Sequence, residues 1–117
     1  SESSQLFDGE SLVANPFVHE GENGALESIF ISMISKNAAV FTTLNGKEAF
    51  IVQKVPTTRF AKEEKVLLAC RVKGKEMHKV LSDNSILMTV VEYIDSYDYS
   101  KYKKSDLQWA ITELSKK

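Results

Sequence analysis

The dipeptide Asn45-Gly46, set between two apolar alternating runs, constrains this chain more than any other feature. Both central positions of a type I′ turn need positive φ, which Asn and Gly tolerate best, so the dipeptide predicts a β-hairpin with a two-residue loop. The flanking runs are Val40 to Leu44 and Lys47 to Val55. With that loop, Leu44 pairs with Lys47, Thr42 with Ala49 and Val40 with Ile51. Side chains alternate along a strand, which puts Val40, Thr42, Leu44, Ala49, Ile51 and Val55 on one face and Phe41, Phe50 and Val52 on the other. Both faces are apolar, whereas a hairpin wetted on one side alternates with polar residues. The sheet is therefore expected to be covered twice.

The other elements follow from periodicity. Leu26, Ile29, Phe30, Met33 and Ile34 fall at i, i+3, i+4, i+7 and i+8, the spacing of one helix face. Asn23 and Gly24 suit the start of such a helix, Glu27 its positive end and Lys36-Asn37 its close. Pro56 marks the hairpin's end, and a polar connection runs to Lys65. Val66 to Lys73 reads as a third strand stopped by Gly74, and Glu76 to Ser82 as a helical turn or irregular stretch. After the Asp83-Asn84 turn, Ile86 to Ile94 reads as a fourth strand, apolar on both faces. A closing helix begins at Ser105, with Gln108 completing a capping-box pattern and Leu107, Ala110, Ile111 and Leu114 as its buried stripe. Trp109 lies about 200° around that helix from Leu107 and points away from the stripe.

Residues 1–22 read as an acidic, irregular lead-in, partly docked through Leu12-Val13 and Phe17-Val18, ahead of a single domain over 23–117. The predicted fold class is α+β. It comprises a curved antiparallel sheet of four to five strands with an N-terminal and a C-terminal helix. In one version the sheet forms a small OB-like barrel, with the region Leu12 to Val18 supplying the fifth strand. The alternative is an open sheet with helices on one face.

Composition narrows the class. With 43% hydrophobic and 26% charged residues, the chain resembles a globular domain and not a disordered one. Cys70 is the single cysteine, so no internal disulfide can form. A buried, reduced thiol and a cytoplasmic or nuclear setting are expected. No apolar run reaches the roughly 18 residues needed to span a bilayer, and Ser1 to Glu10 does not read as a secretory signal. No membrane association is expected.

Chemistry-bearing patterns are sparse. Cys70, His19 and His78 are widely spaced and form no local metal-ligand pair, so no metal site is predicted. Cys70 sits inside an apolar strand without an exposing turn, which argues against a nucleophile activated by His78. Neither a phosphate-binding nor a dinucleotide-binding glycine motif occurs, and no cofactor is expected. The chain is read as a non-enzyme, with a small enzyme lacking a recognisable motif as the third-ranked alternative.

Charge distribution is more informative than the net charge of −1. Ser1 to Ser35 holds six acids and no Lys or Arg, whereas Lys36 to Ser82 holds ten bases and four acids. Arg71 and Lys73 alternate with Cys70 and Val72, so they project from one face of a strand. Lys47, Lys54, Arg59, Lys75 and Lys79 are candidates to extend that face, and Tyr97 and Tyr99 to stack bases beside it. Two functional readings result. The first is an interaction module that binds a protein partner or a second copy through the C-terminal helix, with Trp109, Leu107 and Thr112 as its surface. The second is single-stranded nucleic-acid binding on the basic sheet face.

Overall fold

The computed structural model describes residues 5–56, 60–79 and 84–101. It is a five-stranded mixed sheet with little helix. A short helix α1 (Gly9–Ala14) and a 3-10 turn (Pro16–His19) precede strands β1 (Asn23–Met33), β2 (Ala38–Thr43), β3 (Ala49–Gln53), β4 (Lys65–Lys79) and β5 (Ser85–Asp98). The strand order β1-β2-β3-β5-β4 closes on itself, because β1 pairs with both β2 and β4. All neighbours are antiparallel except β3 and β5, which run parallel through Ile51↔Val90, Val52↔Val91 and Gln53↔Glu92. The expected all-antiparallel sheet is thus corrected: the long chain segment between β3 and β5, itself carrying β4, lets β5 return alongside β3 in the same direction.

The hairpin forms in the expected register, Thr42↔Ala49 and Val40↔Ile51. The two-residue type I′ loop with Leu44 opposite Lys47 is corrected: residues 44–47 form the loop, and of the dipeptide only Gly46 takes a positive φ, +75°. The Thr43 amide donates to the Glu48 carbonyl at 3.0 Å, Gly46 to the Thr43 carbonyl at 2.8 Å and the Lys47 amide to the Asn45 side chain at 2.9 Å. Phe41, Phe50 and Val52 share the interior as expected. Val55 does not join Val40's face. Lys54 adopts φ +63°, which breaks the alternation and turns Val55 into the core.

The segment 26–33 is a strand and not the expected helix, and Ile34 lies just past its end. Leu26, Ser28 and Phe30 point inward, then a bulge between Phe30 and Ser32 inserts Ile31, so that Met33 is the next residue against the core. One inserted residue converts a period of two into the spacing 26, 30, 33, which a helix face also shows. The fifth strand therefore comes from here. Leu12 to Val18 instead forms α1, capped by Asp8 through the Ser11 amide at 3.3 Å, and the 3-10 turn.

Two further boundaries move. Gly74 does not end the third strand: with φ +138° it follows a bulge at Lys73, and β4 continues through Glu76 to Lys79 as strand. Likewise β5 starts at Ser85 and runs past Ile94, which is the extra residue of a second bulge.

Inside the ring, Leu26, Phe30, Phe41, Phe50, Leu68 and Val91 form the core with Phe7 and Leu12 from the lead-in. Phe30 and Phe41 meet edge-on with centroids 5.4 Å apart. Several outward residues are buried too: Ile51 and Val90 on neighbouring strands, and Ala25, Leu67 and Ala69 beneath Tyr97 and Tyr99. Much of the sheet is covered on both sides. The expected docking of Phe17-Val18 is corrected, since both side chains are exposed while Phe7, Leu12 and Pro16 are buried. The expected C-terminal helix, with Ser105, Leu107, Gln108, Trp109 and Thr112, lies outside the described residues.

Candidate interaction surface

Exposed large apolar side chains collect where β4 and β5 continue as a two-stranded ribbon. The ladder persists from Gly74↔Val90 to Lys79↔Ser85, whereas β1 pairs with β4 only up to Arg71 and β3 meets β5 only from Val90. On this ribbon Met77 is 60% exposed, Leu87 57% and Ile86 46%. Met77 pairs with Leu87, beside Lys75↔Thr89 and Lys79↔Ser85, while Glu76↔Met88 and His78↔Ile86 occupy the opposite face. Thr89 is buried and donates to the Val13 carbonyl at 2.7 Å, which ties the ribbon's base to α1. Phe17 stands over Gly74, where an added Cβ would lie 3.7 Å from its ring.

The basic residues only partly converge. Arg71 and Lys73 do project outward from β4 while Cys70 and Val72 face the core. Lys73 and Lys54 both reach Glu92, at 3.2 and 3.3 Å, and Arg71 donates through Nε to Asn23 at 3.1 Å. Burial pushes the Glu92 carboxyl up, but hydrogen bonds from Lys73 and Lys54 outweigh it and hold it below its ordinary value. The carboxylate thus offsets one of the positive charges on this face. Lys75 lies on the ribbon's Met77 face, Lys79 near its end, and Lys47 at the far hairpin tip. Arg59 lies outside the described residues.

Tyr97 and Tyr99 are partly buried, and both pack on the Ala25, Leu67 and Ala69 cluster. Burial, with a hydrogen bond to Glu27, raises the Tyr99 hydroxyl above its ordinary pKa. Cys70 is fully buried, and desolvation pushes its thiol up to about 12, so almost no thiolate exists at neutral pH. A cleft of about 250 Å³ lies between α1 and the β2–β3 turn, lined by Glu10, Glu27 and Asn45 among others. Asn45 donates to Glu10 at 2.7 Å and accepts from the Thr43 hydroxyl at 2.6 Å, whereas Glu27 Oε2 is buried without a hydrogen-bond partner among the described residues. Among the described residues, no three His, Cys, Asp or Glu side chains converge as metal ligands, and no helix is long and apolar enough to cross a membrane.

Met77, Ile86 and Leu87 escaped sequence reasoning as surface residues. The available signal was the run Asn84 to Val91, which carries no charge, but it reads equally well as a buried strand. Compared with family models, with curated proteins and with solved structures, the chain matches none.

Proposed function

We propose that this chain is a non-catalytic interaction module, an OB-like small barrel that binds a protein partner. The strand order, with β1 shared between β2 and β4 and β3 parallel to β5, supports the OB-like reading. In such barrels the β4–β5 connection is one of the places where ligands dock. The observation that carries the functional reading is the exposure of Met77, Ile86 and Leu87 on the ribbon, while the apolar residues of the same strands inside the ring are buried. Water-facing apolar residues grouped on one projection mark an interaction surface, whereas scattered ones do not. The C-terminal segment around Trp109, with Leu107 and Thr112, is the second docking element of this proposal, on the strength of its sequence pattern.

Site-specific photo-cross-linking tests the reading. A photoreactive residue at Leu87, at Met77 or at Trp109 is expected to capture one defined protein, identified by mass spectrometry, whereas one at exposed Glu20 captures none. Absence of any protein adduct from all three positions would overturn it.

Single-strand nucleic-acid binding is the second reading, supported by Lys73 on β4 and Lys54 just after β3 both reaching Glu92 on the intervening β5, with Arg71 exposed on the same strand as Lys73. Oligonucleotide binding that weakens steeply with salt, and is lost on reversing Arg71 and Lys73, would shift the assignment to it.

A further inference from the structure

We propose that Asn45 is a site of spontaneous deamidation, and that the carboxylate formed there releases α1 from the β2–β3 turn.

The reaction needs an asparagine whose side-chain carbon the next backbone nitrogen can reach. The Gly46 amide nitrogen attacks Asn45 Cγ and gives up its proton to water or hydroxide. The N–Cγ bond forms, the Cγ–Nδ2 bond breaks, and the amide nitrogen leaves as ammonia after taking up a proton. Water then opens the cyclic imide at either carbonyl, giving aspartate or isoaspartate. Asparagine plus water has become the acid plus ammonia. Glycine favours the attack because it has no Cβ to crowd the approaching backbone.

The turn presents these groups in the open. Asn45, Gly46 and Lys47 are all exposed, so water reaches the Asn45 amide. Its Oδ1 accepts from the Thr43 hydroxyl at 2.6 Å and from the Lys47 amide at 2.9 Å. Two donors on that oxygen polarise the carbonyl and stabilise the negative charge it gains as nitrogen adds, as in an oxyanion hole. The Gly46 amide donates to the Thr43 carbonyl at 2.8 Å, and this turn bond must fray before attack. Such openings cost least in a loop outside the strand ladder.

A second copy of the dipeptide, Asn23-Gly24, provides an internal comparison. It lies within β1, where Asn23 pairs with Arg71 and Gly24 with Cys70 of β4. Asn23 Oδ1 accepts from Arg71 Nε at 3.1 Å, and a Cβ added at Gly24 would lie 2.7 Å from the Phe7 ring. Attack there requires a packed strand to open, and not one turn bond.

The product changes what the turn can hold. Asn45 Nδ2 donates to Glu10 of α1 at 2.7 Å. Aspartate has no donor to offer, so two carboxylate oxygens would meet where a hydrogen bond stood. Like charges at that distance repel. Gly9 packs beside this bond, where an added Cβ would lie 2.9 Å from Thr43 Cγ2, so repulsion acts on a close contact. The start of α1 is released, while Thr89 still holds its end through the Val13 carbonyl.

Incubation of the full chain at neutral pH and body temperature, followed by peptide mass spectrometry, tests the site. Asn45 is expected to convert to aspartate and isoaspartate at least about tenfold faster than Asn23. Conversion should accelerate with rising pH, because the attacking nitrogen must lose its proton. Equal conversion of the two dipeptides, or Asn45 intact over a period in which an unstructured peptide of residues 41–49 converts, would overturn the modification site. Hydrogen exchange reads the release of α1, at the Leu12 and Asn15 amides that donate to the Asp8 and Ser11 carbonyls. Asn45→Asp should exchange there at least about tenfold faster than wild type, with the β4–β5 amides unchanged. Adding Glu10→Gln should restore the wild-type rate, because glutamine can donate to the new carboxylate. Unchanged exchange in Asn45→Asp, or a double variant as fast as the single one, would overturn the release.

Discussion

At Glu92 a single carboxylate organises three strands. It lies on β5, accepts from Lys54 just after β3 and Lys73 on β4, and is only 18% exposed at its side chain. Because its pKa is lowered in the folded chain, its stabilising contribution is complete above the unfolded value of 4.5 and fades as pH falls through the folded value. The two lysines are 69% and 41% exposed, which limits the gain to within about 1 kcal/mol. Glu92→Gln is therefore expected to be modestly less stable than wild type at pH 7, with the gap closing towards pH 3, as read from urea unfolding midpoints. A gap that widens on acidification would contradict the assignment. Cys70 illustrates the opposite regime: with no polar partner and complete burial, desolvation alone decides its state.

Bulges set the behaviour of the elements. The one in β1 moves Met33 into phase with the core, and the one at Lys73 re-aims β4 where it leaves the ring. Gly74 follows that second bulge at φ +138°, a conformation that side chains other than glycine's rarely adopt. The surroundings leave room, since the nearest atom to an added Cβ is 3.7 Å away. Any cost of Gly74→Ala thus comes from the backbone and not from a clash. A loss of about 1–3 kcal/mol is expected in urea unfolding, accompanied by a changed ribbon orientation. An unchanged midpoint would show that the bulge relaxes without glycine.

At the scale of the described residues, the lead-in is part of the sheet structure. Backbone hydrogen bonds join Phe7 and Gln5 to Ala25 at 2.8 Å each, extending the sheet where β2 has already left β1. Phe7 and Leu12 are core residues, and α1 lies against Leu26, Thr43 and Thr89 at one end of the ring. Ionic and polar ties hold the following turn: Glu22 accepts from Gln5 at 3.0 Å and meets His19 at 2.8 Å, and chiefly the His19 bond lowers its pKa. Leu12→Ala should open a cavity in the core and cost about 2–5 kcal/mol. That is a large share of the 5–15 kcal/mol typical of a domain. A denaturant midpoint unchanged in this variant would mean that the lead-in is an appendage.

What the sequence by itself determined is what local chemistry dictates. Asn45-Gly46 specified a turn, and through it the register Val40↔Ile51, because Gly46 takes the positive φ and the Asn45 side chain accepts from the Lys47 amide and the Thr43 hydroxyl within the turn. The alternation of Arg71 and Lys73 with Cys70 and Val72 already separated wet from dry on β4. Apolar residues on both strand faces already called for two coverings. Tertiary structure decided the rest. The spacing of Leu26, Phe30 and Met33 serves a helix face or a bulged strand equally, and only the availability of β2 and β4 on either side resolves it as β1. The candidate surface was equally hidden: Ile86 and Leu87 are chemically the same as the buried Val90 and Val91 that follow them. Their exposure arises because β3 stops pairing at Val90, a long-range event that no local pattern encodes.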